Sequence, residues 1–179
     1  ISWIRSDSDV ECILLEDRSP NFSSPREVYH GYKEYHHFRR QAVGRYYYRV
    51  FVSDGKKKYD PNEPSNTVEV VVRPVAPTMF LARPEHPGQI ECCVELTWKD
   101  VPDASQYEIR SCDTGEVIEK TLSNRCVIEA SSEGTYRFQV RAVSDGGIES
   151  EWSEERVVVV ERKADILRVD GSHSRMGRL

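Results

Sequence analysis

The stretch Gly134–Ala142, which reads G-T-Y-R-F-Q-V-R-A, decides the fold that we expect for this chain. Its apolar side chains, from Tyr136 and Phe138 to Val140, recur at every second position and therefore share one face of an extended strand. Arginine and glutamine occupy the positions between them. This alternation is typical of an antiparallel sheet with one face on a core and the other in water.

The same pattern occurs earlier, at Gly44–Val52, as G-R-Y-Y-Y-R-V-F-V. There Tyr46, Tyr48 and Val50 hold the apolar positions. Two copies about 90 residues apart predict two copies of one domain. The chain has 179 residues, a length that suits two domains better than one large one.

Composition narrows the classes of partner. The chain is 38% hydrophobic and 31% charged, an ordinary balance for two modest cores. Its net charge of −5 gives no electrostatic reason to expect nucleic acid or an anionic membrane. Apolar runs such as Val157–Val160 are too short to cross a bilayer, so we expect no membrane insertion. The chain does not begin with Met, and Ile1–Trp3 reads as mid-domain strand, so we expect a piece of a longer protein.

The remaining segments predict short strands separated by turn signals, without a helical period, which is typical of an all-β sandwich. In the second half these strands are Val94–Trp98, Ser105–Arg110, Glu116–Lys120, Arg125–Glu129, Gly134–Ala142 and Glu155–Glu161. In the first half they are Ile1–Trp3, Glu11–Asp17, Val28–Gly31, Tyr35–Phe38, Gly44–Val52 and Thr67–Val72. No strand precedes Ile1, so the first sandwich is expected to lack its opening strand. Because an unpaired edge is aggregation-prone, something outside this sequence is expected to supply it.

A short joint, Arg73–Pro77, separates the halves. Two prolines within R-P-V-A-P restrict the backbone and predict a semi-rigid connection. We therefore place one domain at residues 1–74, a second at 75–162 and a tail or linker at 163–179.

The five cysteines do not have the spacing of a metal site. Cys12, Cys92 and Cys126 are in phase with core positions, where a thiol behaves as a small hydrophobic group. A Cys92–Cys126 disulfide would form only if the two strands are neighbours, and the alternative is free thiols.

Together these residues resemble a tandem of fibronectin type III domains. The resemblance rests on L-x-W at Leu96–Trp98, Y-x-I at Tyr107–Ile109, the Gly134–Ala142 strand and S-x-W-S at Ser150–Ser153. It implies two immunoglobulin-like antiparallel β-sandwiches, the first without its opening strand. The first half, with P-N-F-S-S-P and V-Y-H-G, is similar to copies found in large bacterial surface and secreted proteins. That similarity implies an extracellular or cell-surface location.

The resemblance also implies roles for particular aromatic residues. Trp98 and its counterpart Trp3 would pack the two cores. Tyr107 is predicted to face inward by the alternation of its own strand. Tyr136, and by analogy Tyr46, would be tyrosine corners, whose hydroxyl groups bond back to the backbone.

No pattern predicts catalysis, a metal or a cofactor. The one histidine pair, His36–His37, is adjacent in sequence, so its rings would point to opposite faces of a strand. None of the common hydrolase or phosphate-binding motifs is present. We therefore expect a protein that is not an enzyme.

Candidate interface residues come from both halves. Tyr47 and Arg49 belong to a group of tyrosines and arginines in the first half, and such side chains often anchor interfaces. In the second half, Arg137 and Arg141 could stack on Trp152. Class I cytokine receptors carry a related W-S-x-W-S motif. In this chain only part of the motif is present, because Glu149 occupies the position of the first tryptophan.

The leading hypothesis is a non-catalytic module that spaces neighbouring parts of a larger extracellular assembly. It would contact a protein, neighbouring copies or domains, or a glycan. One alternative is an accessory segment of a secreted hydrolase. Another is a cytokine-receptor-like ectodomain that binds a helical ligand at the elbow between the domains.

Overall fold

The computed structural model describes residues 1–5, 10–39, 41–53, 64–84 and 92–161. All regular structure in these ranges is β-strand, and every strand pairing is antiparallel, which confirms the predicted all-β class. The strands are β1 (Cys12–Asp17), β2 (Arg26–Gly31), β3 (Gly44–Val52), β4 (Val68–Val72), β5 (Met79–Pro84), β6 (Cys92–Trp98), β7 (Gln106–Ser111), β8 (Val117–Thr121), β9 (Arg125–Ala130), β10 (Gly134–Val143) and β11 (Arg156–Val160).

The first half forms one four-stranded sheet in the order β2-β1-β3-β4. Its register places Leu14 opposite Val50 and Tyr46 opposite Val70. Because side chains alternate across a strand, these residues share one face and make a core cluster with Tyr48. Trp3 and Phe38 are among the half-buried side chains that pack on this cluster.

Strand β1 is buried on both of its faces. On the face opposite Leu14, Ile13 and Leu15 form a second small cluster with Phe51, and Phe22 packs on it. Phe22 comes from the loop between β1 and β2, and its φ of 51° lies in the left-handed region. This loop folds back over the sheet and partly covers the face that was expected to be exposed to solvent.

The second half is a two-sheet β-sandwich. One sheet has the order β11-β10-β7-β8 and the other β5-β6-β9. Trp98 and Leu96 from the smaller sheet meet Ile109 and Val140 from the larger one in a single core cluster, and all four are fully buried. Strand β5 was not predicted, because its run Met79–Ala82 is apolar without alternation.

Two of the predicted strands do not form regular strands. Ile1–Trp3 and Tyr35–Phe38 are joined only by an isolated bridge between Ser2 and Tyr35, with hydrogen bonds flanking it. So short a paired segment cannot build a ladder of repeated hydrogen bonds. The predicted tail at 163–179 lies outside the described residues.

The Cys92–Cys126 disulfide, which the sequence left open against free thiols, does not form. Strands β6 and β9 are neighbours, but their register places Cys126 opposite Leu96 and Cys92 opposite Ala130. At the usual rise of a strand, the two cysteines are therefore about 13 Å apart along it, beyond the reach of a disulfide. Cys126 is a free, half-buried thiol whose pKa is raised to about 12 by burial.

Candidate functional site

The segment Ser150–Ser153 attaches to the side of β10 through its serines. Ser150 N–H donates to the Ala142 carbonyl at 2.8 Å, and Ser150 Oγ accepts from Ala142 N–H at 2.9 Å. Ser153 repeats this arrangement with Val140, at 2.8 and 3.0 Å. The two hydroxyl groups thus replace the carbonyls of a neighbouring strand, and they hold Trp152 against the outer face of the sheet.

Two arginines stack on Trp152. The guanidinium carbon of Arg110 lies 4.4 Å from the centre of the indole ring, and that of Arg141 lies 4.6 Å from it. Arg110 comes from β7, where it pairs with Gln139 of β10. Cation–π contacts of this kind contribute roughly 0.5–2 kcal/mol each, depending on their exposure.

The predicted stacking of Arg137 on Trp152 is wrong. Arg137 lies nearer the start of β10 than Val140 and Ala142, to which the serines beside Trp152 are bonded, and it pairs instead with two acids. Its Nη1 is 2.9 Å from Asp113 Oδ1, and its Nε is 3.6 Å from Glu155 Oε1. Arg110, on the neighbouring strand, takes the place that sequence analysis gave to Arg137.

Acceptors from the sheet fix both stacked guanidinium groups in place. Gln139 Oε1 accepts from Arg110 Nε at 3.0 Å and from Nη2 at 2.6 Å. Glu108 Oε2 accepts from Arg141 Nε at 2.9 Å and from Nη2 at 2.6 Å, and Lys120 pairs with the other Glu108 oxygen at 2.7 Å. We call these residues the arginine–tryptophan face: Glu108, Arg110, Gln139, Arg141 and Trp152.

Glu108 makes the stability of this face dependent on pH. Burial opposes its ionisation, but hydrogen bonds from Lys120 and Arg141 outweigh burial, so the pKa of the Glu108 carboxyl lies below its usual value. Such a group stabilises the fold above its unfolded pKa, and the contribution is lost as the pH falls through the folded pKa. We expect the free energy of unfolding of the second half to decrease below about pH 4, and Glu108→Gln to weaken that decrease.

Urea denaturation at a series of pH values measures this effect. Glu129→Gln is the matched control, because Glu129 is exposed on β9 and makes no ion pair among the described residues. Equal pH dependence in the Glu108→Gln variant and the unmodified chain would contradict the assignment.

Tyr47 and Arg49 lie on a different sheet from Trp152. The guanidinium carbon of Arg49 lies 4.1 Å from the ring centre of Phe22, and its Nε donates to Thr67 Oγ1 at 2.8 Å. Tyr47 O–H reaches Glu69 Oε1 at 3.5 Å. The candidate interface residues therefore form two groups, one on the outer face of each four-stranded sheet.

The aromatic residues assigned to the cores have the following places. Trp98, Tyr107 and Tyr46 are buried, whereas Trp3 and Tyr136 are half-buried. The Tyr136 hydroxyl donates to the Ser132 carbonyl and the Tyr46 hydroxyl to the Ala42 carbonyl, at 2.8 and 2.7 Å. Each of these bonds reaches four residues back along the chain, the geometry of a tyrosine corner.

Sequence reasoning missed Arg110, Glu108 and the stacking partner Phe22. Outward-facing positions in Q-Y-E-I-R would have pointed to Glu108 and Arg110, but the partner of each depends on the register between β7 and β10. Within the described ranges, no group of three or more His, Cys, Asp and Glu residues could hold a metal ion. The described residues also contain no helix long and apolar enough to span a membrane.

No family model and no curated protein matches this chain. Among solved structures it is similar to FN3tt, with 22% identity over 51% of this chain and 100% of that one, at a TM-score of 0.40. A mutant of FN3tt is 24% identical over 49% of this chain and 93% of its own length, at a TM-score of 0.37. The chain is also similar to the glycoside hydrolase domain of Endo-D from Streptococcus pneumoniae R6, with 12% identity over 84% of this chain. That match has a TM-score of 0.42 and covers 27% of the hydrolase structure.

Proposed function

We propose that this chain is a non-catalytic interaction and spacing module within a larger extracellular or cell-surface assembly. The observation that carries the proposal is the arginine–tryptophan face, where Trp152 lies under two fixed guanidinium groups. Tryptophan and arginine are the side chains that most often dominate protein interfaces. Because hydrogen bonds already hold the two arginine side chains, they would lose less conformational entropy when a partner binds. The partner is a protein or a neighbouring domain of the same assembly.

The joint between the halves supports the spacing role. Pro74 and Pro77 are both buried, and Arg73 Nη1 donates to the Glu149 carbonyl at 3.1 Å, which ties the joint to the segment before Trp152. In this proposal residues 1–74 and 75–162 are two units with limited swing, so the module holds its neighbours at a set separation.

Site-specific photo-crosslinking in the native source tests the interaction. A photo-reactive amino acid in place of Glu151, beside Trp152, is expected to give a defined adduct, and Trp152→Ala is expected to reduce it about tenfold or more. Protease treatment of the adduct distinguishes a protein partner from a glycan. The same photo-reactive residue in place of Glu129, on the other sheet, is the control position. Equal adducts from both positions, or an adduct insensitive to Trp152→Ala, would contradict the proposal.

A second candidate function is a receptor-like ectodomain. It is favoured by the serine-held Trp152 and by a cleft of about 550 Å³ lined by residues of both halves, among them Arg18, Arg45, Asp103 and Asp145. A protein ligand at this elbow would contact both halves at once. Alanine substitutions at Tyr47 and Trp152 that leave ligand binding unchanged would count against it.

A further inference from the structure

A second cavity lies at one end of the first sheet, away from the arginine–tryptophan face. It has a volume of about 630 Å³ and opens where β1 ends and β2 begins. Three arginines line it, Arg18, Arg26 and Arg39, together with the acids Glu16 and Asp17. We call it the arginine pocket. Three guanidinium groups against two carboxylates leave an excess of one positive charge, in a chain whose net charge is −5.

Both acids of the arginine pocket already have donors on each oxygen. Glu16 Oε1 accepts from Arg26 at 2.7 Å, and Oε2 accepts from Gln41 at 2.8 Å and from Tyr48 at 2.7 Å. Asp17 accepts backbone N–H groups from the following loop at 2.9 and 2.8 Å, and these bonds hold the pKa of its carboxyl below the usual value. The acids are therefore engaged in holding the loop and the sheet.

Arg18 is held with its guanidinium plane fixed. The guanidinium carbon lies 3.8 Å from the ring centre of Tyr46, and Nη2 donates to the Tyr46 hydroxyl at 2.8 Å. A Cβ atom built at Gly44 would lie only 2.0 Å from Arg18 Nη1, so the absence of a side chain there makes room for the arginine. Among the described residues, no carboxylate pairs with Arg18 or Arg39.

We propose that the arginine pocket binds an oxyanion, the sulfate, phosphate or carboxylate group of a ligand. Guanidinium groups present planar pairs of N–H donors that match such anions, and charge-assisted hydrogen bonds of this kind are the strong ones. Arg18 supplies a donor pair in fixed orientation, Arg39 supplies a charge that no carboxylate of the described residues pairs with, and Arg26 bridges the pocket to Glu16. The site goes beyond the proposed interaction surface and does not depend on it.

Amide NMR spectra of the full chain test the proposal by titration with inorganic sulfate against chloride at equal ionic strength. Sulfate is expected to shift the amide signals of Ser24 and Gln41 in a saturable way. Arg39→Ala is expected to weaken sulfate binding about tenfold, the loss of one charge-assisted contact. Arg125→Ala, an exposed arginine on β9, is the matched control and should bind sulfate as the unmodified chain does.

Arg18→Lys provides an independent variant. It keeps the positive charge but loses the planar donor pair, so sulfate binding is expected to weaken while the chain stays folded. A sulfated oligosaccharide that binds more tightly than inorganic sulfate would identify a saccharide-borne group, and equal affinity would identify the free ion. Shifts that are the same in chloride, or equal losses in the Arg39→Ala and Arg125→Ala variants, would overturn the proposal.

Discussion

Trp98→Ala is expected to destabilise the second half of the chain by about 3–5 kcal/mol while the stability of the first half is unchanged. The Trp98 side chain is fully buried, and its ring centre lies 5.3 Å from that of Tyr107 in an edge-on contact. Truncation would leave a large cavity between two sheets whose backbone hydrogen bonds prevent collapse. Substitutions of this kind cost about 3–5 kcal/mol, a large share of the 5–15 kcal/mol that holds a typical domain together.

Residue-resolved denaturation measures this effect. NMR signals of Val140 report on the second half and those of Val50 on the first, and only the Val140 transition is expected to move to lower urea concentration. Trp98→Phe is the matched control. Trp98 Nε1 is buried and has no hydrogen-bond partner among the described residues. Phenylalanine therefore loses side-chain volume but no such hydrogen bond, and its cost is expected to be clearly smaller. If the Val50 transition shifted equally, the halves would unfold as one unit, which contradicts a boundary near residue 74.

Alternation along the chain was sufficient to predict most of the strands. The period of two in β3 and β10 predicts both their extent and their buried face, because in an antiparallel sheet with one wet side this period follows from the pleat. The same rule fails for β1, where a cluster around Ile13 lies on the outer face. Its cover, Phe22, comes from a loop whose path depends on hydrogen bonds to Asp17, and strand periodicity carries no information about that path.

The candidate site shows the same division between local and non-local information. Trp152 could be identified because the serines that hold it stand directly beside it in sequence. Arg110 could not, because its approach to Trp152 depends on the pairing of β7 with β10. The Cys92–Cys126 disulfide is a further example, since the sequence left open whether the two strands are neighbours, and the register of β6 and β9 excludes the bond. Register is a property of the assembled sheet, and it decides which outward side chains meet.

Glu16→Ala is expected to destabilise the first half by about 3 kcal/mol. The Glu16 side chain is 8% exposed and joins three parts of the structure: β2 through Arg26, the segment before β3 through Gln41, and β3 through Tyr48. Its removal leaves the buried Tyr48 hydroxyl without its acceptor, at a cost of roughly 1–3 kcal/mol. The Gln41 amide loses one of its two acceptors and keeps the Tyr48 hydroxyl oxygen. Burial raises the pKa of Tyr48, so its hydroxyl remains a proton donor throughout the ordinary pH range.

A double-mutant cycle separates this network from a set of independent contacts. Tyr48→Phe removes the hydroxyl alone. Glu16 and Tyr48 share one hydrogen bond, and both accept from the Gln41 amide. In urea denaturation, the double variant is therefore expected to lose about 1 kcal/mol less stability than the sum of the two single variants. As the control, the stability losses of Glu129→Ala, in the second half, and Tyr48→Phe are expected to add in full. Strictly additive costs for Glu16→Ala and Tyr48→Phe would mean that the carboxylate acts through its other partners, Arg26 and Gln41. A shortfall would mean that one buried acid ties β1 to β3 at the end of the sheet where Arg18 and Arg26 line the arginine pocket.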